Sequence, residues 1–296
     1  MTPKDLRKAL HRIRITDGRK FRLRDHDPAD TAGITLAHEA EAAVLAADVA
    51  RLSNLQELLY AQQSWSLLCV FQAMDAAGKD GTIKHVMSGV NPQGVQVSSF
   101  KAPGPEELAH DFLWRVALRL PERGRIGIFN RSHYEEVLVV RVHDAMLARQ
   151  HLPAPLITKH MWRDRLHDIA AFERYLARQG TVILKFFLNV SREEQKRRFL
   201  GRLDHPTKNW KFSVNDLNER AYWDEYMEAY EDAIAATAAE HAPWYVVPAD
   251  HKWFTHLMVV SAMIEALEKL RLATPEITPA EKALLAEGRQ KLEAEK

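Results

Sequence analysis

The chain has 296 residues, 46% of them hydrophobic, which suits one large α/β domain or two small ones with a full core. Its 41 Lys and Arg against 40 Asp and Glu leave it nearly neutral, which excludes a nucleic-acid binder driven by total charge; any polyanion site must come from local clustering. One cysteine, Cys69, excludes an intramolecular disulfide, and no run approaches the roughly 18 apolar residues of a membrane span. The opening Met1-Thr-Pro-Lys-Asp-Leu has no apolar stretch of signal-peptide type, so a cytoplasmic protein with no membrane or nucleic-acid partner is expected.

Residues 1–35 are basic and irregular, and read as a surface arm or a solvated tail. A helix rich in Ala, Leu and Glu is expected over 36–62, with Val44, Leu45, Val49, Leu52, Leu55, Leu58 and Leu59 near helical spacing. The apolar run 66–72 suits a buried parallel strand, and a helix over 82–88 follows a glycine-containing turn. A strand over 95–100 precedes a helix over 105–120, with Pro105 in its first turn and Glu106 and Glu107 near its positive end. A strand over 125–129, a long helix over 155–179 and a strand over 181–190 come next. Ser191-Arg-Glu-Glu194 fits a capping box for a very basic helix over 193–203. The rest reads as a helix over 216–239, a strand over 244–248 and helices over 251–272 and 279–293. Alternating strands and helices imply a mostly parallel sheet covered on both faces. The polar, turn-rich stretch 201–213 is too long for a tight connection and reads as a lid.

Three clusters carry chemistry. The first, Phe71-Gln-Ala-Met-Asp-Ala-Ala-Gly-Lys-Asp-Gly-Thr82, stands where a phosphate loop stands, between strand and helix. It departs from G-x-x-x-x-G-K-[ST] at Ala73 and Asp80. Its chemistry still suits an anion: glycines let backbone N–H groups turn inward, a helix N-terminus adds a positive dipole end, and Lys79 supplies a mobile charge. Asp75 is an odd anion there, which suggests a metal ligand or a group that handles an acceptor. The second cluster, Asn130-Arg-Ser-His-Tyr-Glu-Glu136, follows a strand, where the ligand crevice of open α/β sheets lies. Arg131 suits stabilisation of a transferring phosphoryl group, and Glu135 or Glu136 suits a divalent cation. The third places Arg198 and Arg202 on one helix face, followed by Lys208-Asn-Trp-Lys211. None of the 14 histidines falls in a zinc-binding spacing.

In order and spacing, Met74 to Gly81, Asn130 to Glu135 and the stretch 195–211 resemble the polyphosphate kinase 2 family, over roughly residues 36–270. The resemblance implies an α/β, three-layer P-loop kinase fold of thymidylate-kinase type: a mostly parallel sheet, helices on both faces and a helical lid. With the basic arm read from the residues over 1–35, the phosphotransferase domain is expected over 36–296, with the lid at about 195–220. It further implies phosphoryl transfer between inorganic polyphosphate and AMP, ADP or ATP, with Mg²⁺ or Mn²⁺ as cofactor, in a homo-oligomer (dimer or tetramer). Residue by residue, Asp75, Ala76, Ala77, Gly78, Lys79, Asp80 and Gly81 belong to the phosphate loop. Asn130 and Arg131 take the Walker-B-like position, Asp75 and Glu135 the metal, and Arg198 and Arg202 the lid. Lys84, Lys208 and Lys211 suit a basic path for a long polyanion. Many members have Asp where this chain has Asn130, and Asn resembles a subgroup accepting AMP as well as ADP. Because an amide is neither a base nor a strong metal ligand, Glu135 takes more of that burden. Two other readings fit the loop alone: an ATP-dependent small-molecule kinase, and a nucleotide-binding regulatory module that does not turn over.

Overall fold

A continuous apolar run can be buried only inside a sheet covered on both faces, and every residue of Ser66–Gln72 is buried. The computed structural model describes residues 3–295, apart from the side chains of Pro3 and Lys211. In chain order the elements are α1 (Pro3–Ile13), β1 (Arg14–Ile15), α2 (His38–Gln62), β2 (Ser66–Gln72), α3 (Lys79–Val86), β3 (Val95–Ser99), α4 (Pro105–Leu108), α5 (Trp114–Ala117), β4 (Ile126–Asn130), α6 (Val139–Val142), α7 (Asp144–Ala148), α8 (Met161–Arg178), β5 (Thr181–Asn189), α9 (Arg192–Leu203), α10 (Val214–Glu219), α11 (Trp223–Thr237), β6 (Trp244–Pro248), α12 (Lys252–Lys269) and α13 (Pro279–Glu293).

The strands form one sheet in the order β1-β6-β5-β2-β4-β3. All neighbours are parallel except β1, which pairs antiparallel with β6. Helix α12 packs on α2, α3, β5 and β6. On the other face, Lys185 of β5 reaches Glu173 of α8, and the Phe187 ring lies 4.2 Å from Tyr230 of α11. Alternate residues of a strand thus serve opposite layers. The chain leaves β2 towards the α12 layer and β4 towards the α8 layer. A crevice therefore opens between the carboxyl ends of β2 and β4. No helix among the described residues is long and apolar enough to cross a membrane.

Four expectations need correction. The N-terminal segment is not irregular: Ala9, Leu10 and Ile13 are buried, α1 packs on α12, and β1 extends the sheet. Its apolar residues at helical spacing outweigh the scattered basic ones, which stay outside. The helix over 105–120 is two short pieces, because the Asp111 carboxylate accepts from Leu113 N at 2.9 Å and closes a turn that competes with the helix. The helix over 155–179 starts only at Met161, after the Thr158 hydroxyl has bonded His160 N at 3.1 Å. The helix over 216–239 breaks at a 3-10 turn over Arg220–Tyr222.

Leu10 is 3% exposed. Leu10→Ala is expected to lower the unfolding free energy by about 2–5 kcal/mol, the range for a filled core site, as measured by urea denaturation. A loss below about 0.5 kcal/mol, the scale of surface changes, would return this segment to a solvated arm.

Candidate active site

The phosphate loop runs from the end of β2 into α3. Ala76 takes φ +60° and Gly78 φ +106°, so two left-handed residues curl the backbone into a concavity of N–H groups. Ala77 N–H bonds Met74 O at 3.2 Å, and Thr82 N–H bonds Gly78 O at 2.9 Å. Beside it, Phe71 pairs with Asn130 in register, and Arg131 N–H bonds Phe71 O at 3.0 Å. Arg131 itself has φ +63°, a strained conformation for a non-glycine residue. That strain turns its guanidinium towards the loop.

Four charged side chains converge here. An Arg131 terminal nitrogen lies 3.4 Å from Asp75 Oδ1, and the other lies 3.7 Å from Glu135 Oε2. Burial pushes the Lys79 ammonium below the ordinary lysine value and nearby Arg131 pushes it further, while Asp75, Glu135 and Asp80 oppose. Burial raises the Glu135 carboxyl above its ordinary value against the pull of Arg131 and Lys79. Beneath it, fully buried Gln72 donates to Glu135 Oε1 at 2.8 Å and accepts from Ser132, in the amide orientation that satisfies both its ends. Asn130 does not face this group; its Nδ2 donates to Asp80 Oδ1 at 2.7 Å, tying β4 to the first turn of α3.

The other side of the same turn is structural. The Tyr134 hydroxyl sits 2.8 Å from both Glu173 Oε1 and Thr237 Oγ1. Lys185 Nζ, fully buried, donates to Glu173 Oε2 at 2.5 Å, to Tyr134 at 3.1 Å and to Thr237 O at 2.8 Å. His133 Nε2 lies 3.5 Å from Glu173 Oε1. Thus Arg131 and Glu135 face the loop, while His133 and Tyr134 are rooted in the core.

The third cluster does not lie as the sequence suggested. Arg198 is 8% exposed and spends its guanidinium on protein atoms: Nε on Glu194 Oε1 (2.7 Å), one terminal nitrogen on Ala76 O (3.1 Å) and Ala77 O (2.5 Å), and the other on Ala249 O (2.5 Å) and Asp250 O (3.4 Å). The capping box is half formed: the Ser191 hydroxyl accepts from Glu194 N, but the Glu194 carboxylate turns to Arg197 and Arg198. Arg202 Nη1 lies 3.4 Å from Asp216 Oδ2. Lys84 and Lys208 are exposed, on α3 and on the 3-10 turn Pro206–Lys211; the Lys211 side chain lies outside the described residues.

A cavity of about 350 Å³ opens at the same carboxyl edge, beyond β4 and β3. Buried Glu136 is flanked by Arg115 (3.9 Å) and Arg165 (3.5 Å), and Gln150 donates to it at 2.5 Å. The Arg165 guanidinium lies 5.3 Å from the Phe112 ring. Residue-by-residue reading missed this pocket, since its lining comes from four separated segments. It also gave no role to Gln72, Ser132 or Gln195. The one available signal was a Gln ending an otherwise apolar strand.

A parallel sheet with a lysine-bearing anion loop at its topological switch point, faced by an arginine and two carboxylates, defines a P-loop phosphotransferase. Residues 35–275 match the family described as Polyphosphate kinase 2 (PPK2), and the chain belongs to that family. It is 53% identical over 250 residues to an ADP-polyphosphate phosphotransferase of Rhodopseudomonas palustris, covering 84% of this chain and 86% of that protein. It is 45% identical over 278 residues to an AMP/ADP-polyphosphate phosphotransferase of Meiothermus ruber, covering 94% and 100%. The crystal structure of Polyphosphate Kinase 2 from Arthrobacter aurescens TC1 superposes with a TM-score of 0.83 at 44% identity, covering 92% of this chain and 95% of that one.

The raised Glu135 carboxyl makes its ionised form a cost to the fold. Stability from this group is full below the ordinary glutamate value and is lost as pH rises through the raised one. Glu135→Gln is therefore expected to melt above the wild type at neutral pH, the gap closing near pH ~4, while turnover falls. Equal melting at both pH values would contradict the reading of Glu135 as a strained functional acid.

Proposed function

We propose that this protein transfers the terminal phosphoryl group of inorganic polyphosphate to ADP, and also to AMP, giving ATP and ADP. The observation that carries this reading is the convergence of Lys79, Arg131, Asp75 and Glu135 on the phosphate loop. The names of the two relatives support the choice of polyphosphate and adenine nucleotide over ATP and a hydroxyl acceptor. A terminal phosphate oxygen of the nucleotide attacks the terminal phosphorus of polyphosphate. The bond to the bridging oxygen breaks, and the shortened chain leaves with the electron pair. The attacking oxygen is already anionic, so the residues need only position and neutralise. Lys79 and Arg131 hold the equatorial oxygens, and the loop N–H groups hold the phosphates behind them.

Asp75 and Glu135 give two carboxylates facing one guanidinium. Mg²⁺ is commonly held by one or two carboxylates and completes its shell with water and phosphate oxygens, so this donor pair fits it; Mn²⁺ takes the same oxygens. No group of three or more His, Cys, Asp and Glu forms a protein-only cage among the described residues. When bound, the cation neutralises charge on the group in transfer. The cavity beside Glu136 suits the acceptor's nucleoside: its volume lies in the small-ligand range of about 300–1,000 Å³, and Phe112 and Leu108 line it. Glu107, Asp111, Asp164 and Asp168 also line it, which favours a base bearing an amine over a phosphate. A cytoplasmic homo-oligomer with the lid near 195–220 is part of the same proposal.

Lys79→Ala is expected to cut polyphosphate-dependent ATP formation by about 10²-fold or more, the scale of one lost transition-state donor, with the melting temperature retained. Near-normal turnover would remove the loop from the chemistry. Robust activity with ATP and a hydroxyl acceptor, and none with polyphosphate, would favour the small-molecule kinase. Asn130→Asp sets a second carboxylate against Asp80 and is expected to change AMP use relative to ADP. Equal effects on both acceptors would dismiss Asn130 as the discriminating residue.

A further inference from the structure

We propose that Gln195 and Arg198 of α9 are positioning residues that hold the phosphate loop in its anion-binding shape, rather than ligands of the phosphates. Gln195 Nε2 donates to Asp75 O at 2.8 Å, and Arg198 donates to Ala76 O and Ala77 O. Three consecutive carbonyls are thereby pinned on one helix, by residues three apart on one face. In a trans peptide the carbonyl and the following N–H point in opposite directions. Pinning the carbonyls of Asp75, Ala76 and Ala77 therefore turns the N–H groups of Ala76, Ala77 and Gly78 away from α9. Ala77 N–H closes its turn on Met74 O. Among the described residues, those of Ala76 and Gly78 have no acceptor, and they are the two left to meet an anion.

The clasp is itself held. Gln195 is buried and accepts from Arg220 at the far end of the lid segment, and Arg220 also bonds Arg192 O at 3.2 Å. Arg198 reaches past the loop to Ala249 and Asp250 after β6, and Asp250 accepts from Ser191 N at 2.8 Å at the start of α9. A guanidinium has five donors in a fixed fork, and this one sets all five on protein oxygens. Lysine keeps the charge but has a single nitrogen, which cannot span Ala76–Ala77 on one side and Ala249 on the other. The left-handed Ala76, unfavourable for a residue with a Cβ, persists because these bonds over-determine it.

This inference rests on the loop being the phosphate site, and its test separates the two. Hydrogen exchange of the ligand-free protein reads the hydrogen-bonded Ala77 and Thr82 amides without any turnover. Arg198→Lys is expected to speed their exchange by about tenfold or more, the scale of losing a charge-assisted hydrogen bond, with β2 and β4 unchanged. In the polyphosphate assay kcat is expected to fall by about tenfold or more, with KM for ADP within about twofold. Should Arg198→Lys loosen β2 and β4 as well, Gln195→Glu decides. It keeps the volume and the Arg220 bond but turns a carboxylate on Asp75 O, and the same exchange and kcat changes are expected. Unchanged exchange, with kcat kept and KM for polyphosphate raised, would overturn the inference and make Arg198 a direct phosphate ligand. Faster loop exchange in Arg198→Lys, with a wild type that proves unable to use polyphosphate, would leave the clasp standing and remove only the assigned substrate.

Discussion

The structure depends on keeping Lys79 and Arg131 close together at the edge of the sheet. Burial in the partly dry crevice pushes Lys79 below the ordinary lysine value, and repulsion from the nearby Arg131 charge adds to it. Asp75 and Glu135 make the arrangement tolerable by standing at 3.4 and 3.7 Å from the arginine. Those are loose contacts, so neither cation is locked into a tight bidentate pair. A site balanced in this way is neutral enough to fold and still offers positive charge to an arriving phosphate. The cost falls on Glu135, whose ionised form is held in a place that burial disfavours.

Everything nearby can be read as support for that balance. The switch in connection direction between β2 and β4 brings the loop and the Arg131 turn side by side. Gln72 and Ser132 brace Glu135 from below. Lys185, Glu173 and Tyr134 root the same turn in the core. A buried ion pair of this kind adds little net stability over an apolar core, but it costs dearly when one partner is lost. Its value here is geometric: a five-residue turn holds His133 and Tyr134 in the core while Arg131 and Glu135 face the crevice. From above, α9 grips the loop backbone.

Much of this was legible in the sequence where local pattern decides structure. The run Ser66–Gln72, the strand Trp244–Pro248 and the helix Pro279–Glu293 have the expected bounds. The two strands carry unbroken apolar runs, and in the structure the helix opens on a Thr278–Glu281 capping box with Pro279 in its first turn. The parallel sheet and the joint placement of Lys79, Arg131, Asp75 and Glu135 also followed from strand ends and motif order. What escaped was decided by contacts distant in sequence, or by short side-chain turns that compete with a helix. The burial of α1 depends on α12, some 250 residues away. The side-chain turns at Asp111 and Thr158 broke helices whose composition allowed them to continue. Arg198 read as a free lid cation, because nothing local shows that five carbonyl and carboxylate oxygens await it.

Direct transfer between two phosphates, with the protein only positioning and neutralising, is the central claim. No residue needs to be phosphorylated: Cys69 lies in the core with its thiol pushed well above its ordinary value by burial, and His133 is buried against Glu173. The most direct test is a rapid-quench single turnover of the wild type with a divalent cation, ADP and polyphosphate carrying ³²P at its termini. Label passing straight from polyphosphate to ATP, with none on the protein at any time, is the expected result. Label retained on polyphosphate, or appearing on the protein before ATP, would contradict it.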